Sequence, residues 1–285
     1  MSAAAFAFAH LAGLAGGLSP IPPLALALVL LAAFFHAGWN LVLHETPDRP
    51  AAMAVAGVAS GLLLLPFAVL SPPWQVAPLI LLSAAAETAY AVLLAAAYHR
   101  GALAIAYPIA RGTAPILVTL GGVVVLAQIP PPLNVVGAVL LLCGLTLVGL
   151  AGHRQGELAA VVFALLTGVA IASYQLVDAR AVQSVSPVAY LGPVLGLQGL
   201  LLVGWLRGDV KRLRGSLGTG VKIAIGSLVS YVLVLFAFQQ AHAGQVATLR
   251  EMSVLVGVFL SRSQRTWQVW LGAALVVLGV VLTAL

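Results

Sequence analysis

Ten apolar runs of about twenty residues follow one another along this chain, at roughly 23–43, 51–70, 77–98, 102–126, 132–151, 157–178, 188–206, 219–240, 244–261 and 267–285. A run of that length crosses the hydrocarbon core of a bilayer as one α-helix. The breaks between runs are short and chemically apt: His44 to Pro50, Ser71 to Pro73, His99 to Gly101, Ile129 to Pro132, and His153-Arg154. The runs do not alternate polar with apolar residues, as the strands of a membrane barrel would. With only 7% of its residues charged and 62% hydrophobic, the chain lies far from the roughly 25% charged residues of soluble proteins. The expected fold class is therefore an all-α integral membrane protein with about ten transmembrane helices and no separate soluble domain.

Two echoes at one spacing divide these helices into halves. Trp39-Asn40-Leu41-Val42 is answered by Tyr174-Gln175-Leu176-Val177, and GAVLLLCG at Gly137–Gly144 by GAALVVLG at Gly272–Gly279, each 135 residues later. Halves with five spans each must sit in opposite orientations, giving two inverted five-helix repeats, 23–153 and 154–285, the arrangement of many secondary transporters. Residues 1–22 form an apolar segment without the basic start of a secretory signal, expected to lie along the membrane or to form a partial further span. The chain stops inside an apolar run, so no soluble appendage is expected at that end.

Basic residues set the orientation. Arg49, Arg100, Arg154, Arg207, Lys211, Arg212, Arg214, Lys222, Arg262 and Arg265 fall in or beside the loops after odd-numbered spans, and only Arg180 falls on the other side. The positive-inside rule makes the crowded side cytoplasmic and the carboxyl terminus external, as in a multi-pass protein of a bacterial inner membrane. The net charge of +6 and the cluster Lys211 to Arg214 point to anionic lipid headgroups as partners, not to nucleic acid.

Four charges lie within the apolar runs instead: Glu87, Arg111, Arg250 and Glu251. Each costs about 2.5–3.5 kcal/mol at the bilayer centre on an insertion scale, so they must face one another or water, and they are functional candidates by default. Arg111 and Arg250 each open the fourth span of their half, which puts them near the repeat interface at the midplane, where transporters of this design bind solute. Arg111 lies between Pro108 and Pro115, which bend a helix and free backbone carbonyls. Two readings stand side by side. The arginines form structural ion pairs, Arg111 with Glu87 and Arg250 with Glu251 or the first-half acid, or at least one of them grips a carboxylate or phosphate. Glu87 is also the candidate carrier of a coupling proton.

Polar and aromatic side chains accompany these charges at apolar depth. His36, Trp39 and Asn40 share one helical face, and Tyr174, Gln175 and Asp178 repeat the pattern. With Tyr90, Tyr107 and Tyr231 they are expected to line a small-molecule cavity, against the plainer reading of interfacial aromatics and a satisfied core histidine. Asp178 sits near a span end and is expected in solvent. The glycines of the two GxxxxxxG octapeptides lie on one helical face and are expected to serve close helix packing or dimerisation. Cys143 lies alone in an apolar run, and nothing in the sequence calls for a metal or cofactor.

The sequences FFHAGWNLVLH, AYHRGALAIAYPIARGTAPILVTLGGVVVL and AHAGQVATLREMSVLVGVFL, with the two glycine octapeptides, resemble the ten-helix EamA-type branch of the drug/metabolite transporter superfamily over residues 25 to 285. The resemblance implies a central cavity lined by both halves and export of small metabolites or toxic compounds, commonly amino acids. Relatives often carry a glutamate near the end of the fourth span of each repeat, where this chain has Gln128 and Ser261-Arg262-Ser263.

An enzyme is disfavoured: there is no HExxH or GxxxxGK motif and the six histidines are scattered. A channel would more usually show a charged ring or carbonyl filter. The expected function is a secondary transporter without an ATPase domain, exporting an amino acid or related anionic or zwitterionic solute by alternating access. Multidrug efflux and a channel are the alternatives.

Overall fold

A computed structural model describes residues 20–100, 103–151, 158–255 and 266–285, with the side chains at 97–100, 103–108, 149–151, 158 and 160 left out. Every regular element among the described residues is helical, as lipid demands of a backbone that must bond its own N–H and C=O groups. In chain order the helices are α1 (Pro23–His44), α2 (Arg49–Leu70), α3 (Ala77–Arg100), α4 (Leu103–Val125), α5 (Pro132–Ala151), α6 (Leu158–Ala181), α7 (Pro187–Trp205), α8 (Val210–Gly215), α9 (Leu217–Phe238), α10 (Ala243–Arg250) and α11 (Trp267–Ala284). A 3-10 turn, Trp74–Val76, leads into α3.

Among the described residues, seven stretches are long and apolar enough to cross a membrane: Pro23–His44, Arg49–Leu70, Trp74–Ala96, Val161–Ala181, Pro187–Trp205, Leu217–Phe238 and Trp267–Ala284. Ile109–Val125 and Pro132–Val148 are shorter apolar stretches. The run at 244–261 is not one unbroken helix: α10 ends at Arg250, Glu251 forms a turn, and helix resumes at 252–255. The remainder of that run, with Arg262 and Arg265, lies outside the described residues, as do residues 1–19 and Arg154.

Proline punctuates these boundaries for a local reason. Pro23, Pro50, Pro132 and Pro187 stand in the first turn of α1, α2, α5 and α7, where an absent N–H costs nothing. At the end of α4, Ala127 takes the left-handed conformation (φ 54°), and the Gln128 N–H returns to the carbonyl of Gly122 at 3.0 Å, closing the helix as a Schellman-type turn. The Gln128 side chain then accepts the N–H of Ala243 at 2.9 Å, capping α10.

Glycine sets the closest helix contacts. A Cβ on Gly144 would stand 2.5 Å from the carbonyl oxygen of Gly272, and one on Gly272 would stand 2.6 Å from that of Gly144. Gly137 and Gly279 meet in the same reciprocal way, 2.5 Å from each other's carbonyl oxygens. The octapeptides therefore pack α5 against α11 within the chain. In α2 and α7, Gly57 faces Gly199 and Gly61 faces Gly196. Further pairings join α1 to α9, α3 to α6, and α4 to α6 and α10. Large apolar residues such as Leu63, Phe67, Leu70 and Trp74 point outward, as lipid-facing residues do.

The two ends of the bundle are tied differently. At one end Arg212 of α8 makes a two-pronged ion pair with Asp48 (Nε–Oδ2 2.7 Å, Nη2–Oδ1 3.0 Å), joining the loops after α1 and α7. Asp48 also caps α2 by accepting the Ala51 N–H. At the other end glutamines hold the loops: Gln75 donates to the Ser184 carbonyl (2.9 Å), Gln183 to that of Phe238 (2.9 Å) and Gln239 to that of Val182 (2.7 Å).

Candidate functional site

α1, α2, α3, α4, α6, α7, α9 and α10 surround one cavity of about 70 Å³, space for several water molecules. Of the sequence candidates, His36, Trp39, Glu87, Tyr90, Arg111, Tyr174, Tyr231 and Arg250 line it. The cavity reaches toward the Asp48–Arg212 end of the bundle, because it is lined by the last turns of α1, the first half of α2 and the first two-thirds of α9. Met53, Ser60, Gln198 and Ser227 are also part of its wall, among small and apolar residues. Those four were missed in the sequence, where isolated small or neutral residues in apolar runs carry no charge signal.

Arg111 pairs with Glu251, not with Glu87 as the sequence suggested. Its Nε donates to Glu251 Oε2 at 2.8 Å and its Nη2 to Ser253 Oγ at 3.2 Å, with all three residues buried. Neighbours along a helix point about 100° apart, so Glu251 turns from Arg250 toward α4, which packs on α10. Glu251 therefore serves the cavity through Arg111 and is not part of its lining.

Arg250 is the exceptional group. It is 4% exposed, and its Nη2 lies 3.3 Å from His36 Nδ1. Its guanidinium stands over the Tyr231 ring, 5.1 Å from the centroid, a cation–π arrangement. Its Nε and Nη1 are buried with no hydrogen-bond partner, as are Trp39 Nε1 and His36 Nε2. A guanidinium can only donate, so His36 Nδ1 accepts and Nε2 of the neutral ring carries the hydrogen. Arg250, Trp39 and His36 thus bring four unused donor atoms to one cavity. Across it, the Glu87 carboxylate receives no hydrogen bond from the described residues and is 8% exposed.

Aromatic rings meet in two groups in the wall. Tyr90 meets Tyr174 edge-on at 6.1 Å, Tyr174 meets Tyr231 at 5.9 Å, and His36 meets Trp39 at 4.9 Å. Besides Glu251, two candidates stand apart from the cavity: Asn40 turns back to its own helix, donating to the His36 carbonyl at 2.8 Å, and Gln175 is buried off the lining. The Tyr107 side chain lies outside the described ones.

Asp178 overturns the expectation of a solvated end. It is 0% exposed, and hydroxyls from three other helices surround its carboxylate. Ser83 of α3 donates to Oδ1 at 2.5 Å, Tyr190 of α7 to Oδ1 at 2.7 Å, and Tyr231 of α9 to Oδ2. The final turn of α6 runs past Asp178 to Ala181, and α7 and α9 cover it. A run of apolar residues shows where a helix enters lipid but not which neighbours hide its end.

Residues 158–285 match the EamA-like transporter family. No curated protein matches the sequence. A solved structure titled only "Crystal structure of protein" is similar in fold, with a TM-score of 0.72 over 91% of this chain and 96% of that one, at 16% identity. The architecture of the described residues is thus one already seen in a solved protein, and the second half of this chain is similar in sequence to a family of transporters.

Proposed function

We propose that the chain is an EamA-type member of the drug/metabolite transporter superfamily, a secondary transporter that exports a small organic solute with an anionic group, such as an amino acid, by alternating access. The reading is supported by the family match in the second half, the apolar helices and a cavity reached by helices from both halves. The single observation that carries the solute class is Arg250, a buried cation whose Nε and Nη1 are unpartnered beside the free donors of Trp39 and His36. Buried donors normally find partners, and an ionised carboxylate or phosphate oxygen is the strong acceptor that such a cation lacks. Glu87, opposite and unbonded, suits the ammonium of a zwitterion, and the tyrosines suit its organic body.

Ten spans in two inverted repeats, 23–153 and 154–285, complete the proposal. The glycine crossing supports it. An operation exchanging residues 135 apart turns Gly137 into Gly272 and Gly144 into Gly279. It therefore converts the Gly144–Gly272 contact into the Gly279–Gly137 contact, both of which occur. The basic loops are placed in the cytoplasm of a bacterial inner membrane, which directs the cavity inward.

The test compares metabolites retained by cells expressing the wild type or Arg250→Leu. Anionic or zwitterionic solutes are expected to be depleted by the wild type and retained with the variant. Depletion confined to cations, or equal depletion by both proteins at matched membrane levels, refutes the solute class.

A further inference from the structure

Asp178 is a titratable group that the solute site does not use, and its surroundings are unusual for a carboxylate at apolar depth. Its donors are all hydroxyls, and no arginine or lysine pairs with it among the described residues. Intramembrane carboxylates that neither pair with a cation nor hold a metal are suited to exchanging protons. Glu87, one helical turn from Ser83 on α3, and Arg250 at the end of α10 are the charged groups close enough to act on it. The other titratable side chains on the elements around it include Tyr90 on α3, Tyr190 on α7, Tyr231 and Lys222 on α9, Tyr174 and the exposed Arg180 on α6 itself, and Arg111 on α4, which packs against α6.

Two further features decide what this carboxylate does. It binds four helices together, α6 to α3, α7 and α9, immediately beneath the glutamine-tied end of the bundle. It also meets the solute cavity through one residue: Tyr231 lines the cavity and lies beneath Arg250 while its hydroxyl donates to Asp178. Fully buried, Asp178 has the Tyr231 hydroxyl as its link to cavity water.

We propose that Asp178 is the proton-binding site of this protein, and that loading it from the cavity loosens the four-helix tie that closes the end remote from the basic loops. The proposal rests on the transport reading and gives that transporter a proton-sensitive tie at its far end. A hydronium ion in the cavity gives its proton to the carboxylate, leaving water and a neutral acid. The ionised group accepts three hydroxyl hydrogens, whereas the acid has its own hydrogen to donate and a protonated oxygen that accepts poorly. The Tyr231 hydroxyl must then reverse, accepting from Asp178 and directing its hydrogen elsewhere, and the charge assistance in the Ser83 and Tyr190 bonds is lost. Bonds to an ionised acceptor are about twice as strong as neutral ones. The same Tyr231 ring carries Arg250, so a solute anion drawing on that guanidinium and a proton on Asp178 act on one side chain.

The test reads opening without a solute. Val182, fully buried at the glutamine-tied end, is replaced by cysteine in the full chain with the exposed Cys143 changed to alanine. The labelling rate with a water-soluble maleimide is measured against pH, normalised to unfolded protein at each pH. Labelling is expected to rise on the order of tenfold as pH falls, since weakening one such bond shifts an open–closed equilibrium by about that factor. Asp178→Asn, shaped like the protonated acid, should label fast at every pH. Tyr190→Phe keeps the ring but removes one donor to the ionised form, so the midpoint should move to higher pH. A flat profile in the unaltered background overturns the proposal. So does a profile that survives Asp178→Asn, or one abolished by Glu87→Gln and not by Asp178→Asn. Because no solute enters this assay, its result is independent of whether the metabolite comparison above succeeds.

Discussion

The Arg111–Glu251 pair offers a quantitative test of how the two halves of the chain are joined. The side chains are 4% and 2% exposed and meet at 2.8 Å, so neither charge lies in bulk water. Unit charges about 4 Å apart attract by about 4 kcal/mol at an effective dielectric constant of about 20. Removing one partner of a buried pair costs about 3–5 kcal/mol, chiefly because the other charge is stranded, whereas replacing both with apolar groups of similar volume is often neutral. Arg111→Leu and Glu251→Leu are each expected to lose about 3–5 kcal/mol, and the double variant to lie within about 1 kcal/mol of wild type. The assay is reversible unfolding of purified protein in one detergent, all four proteins in parallel, giving a coupling free energy. A double variant as unstable as the sum of its parents refutes the reasoning and reduces the contact to two independent side chains.

Other expectations are simpler to check. Gly144→Ala places a methyl group 2.5 Å from the Gly272 carbonyl oxygen, and overpacking of this kind costs about 1–3 kcal/mol, measurable by unfolding in detergent. The Arg212 guanidinium holds the Asp48 carboxyl below its ordinary value of 3.8. The stability it adds is therefore complete above that value and lost as pH falls through the lowered one. With side chains 42% and 28% exposed, the effect stays under about 1 kcal/mol, and Arg212→Ala should remove it from the pH profile. A tag at the carboxyl terminus should resist labelling from the cytoplasm, and cytoplasmic labelling would reverse the proposed orientation.

Helix positions were legible in the sequence because lipid makes the signal: a helix must stay apolar for its full length, so α1 to α7 begin and end within a few residues of their runs. Charge at depth was legible for the same reason, and Arg111, Arg250 and Glu87 do reach one cavity. Pairing was not. Glu251 reaches Arg111 across 140 residues, a distance over which spacing says nothing of direction. Asn40 shares the helical face of His36, yet its amide finds a carbonyl on its own helix, a local alternative open to any short polar side chain. Asp178 was misjudged because a span's end is polar only if nothing packs over it, and α7 and α9 do.

The glycine crossing of α5 and α11 also bears on how the molecule associates. Those glycines spend their small surface inside the chain, so the face most suited to joining two copies is already occupied. On the two-repeat reading, that contact is the one two separate half-chains would use to find each other. Covalent continuity would then supply proximity, while the seam itself carries the recognition.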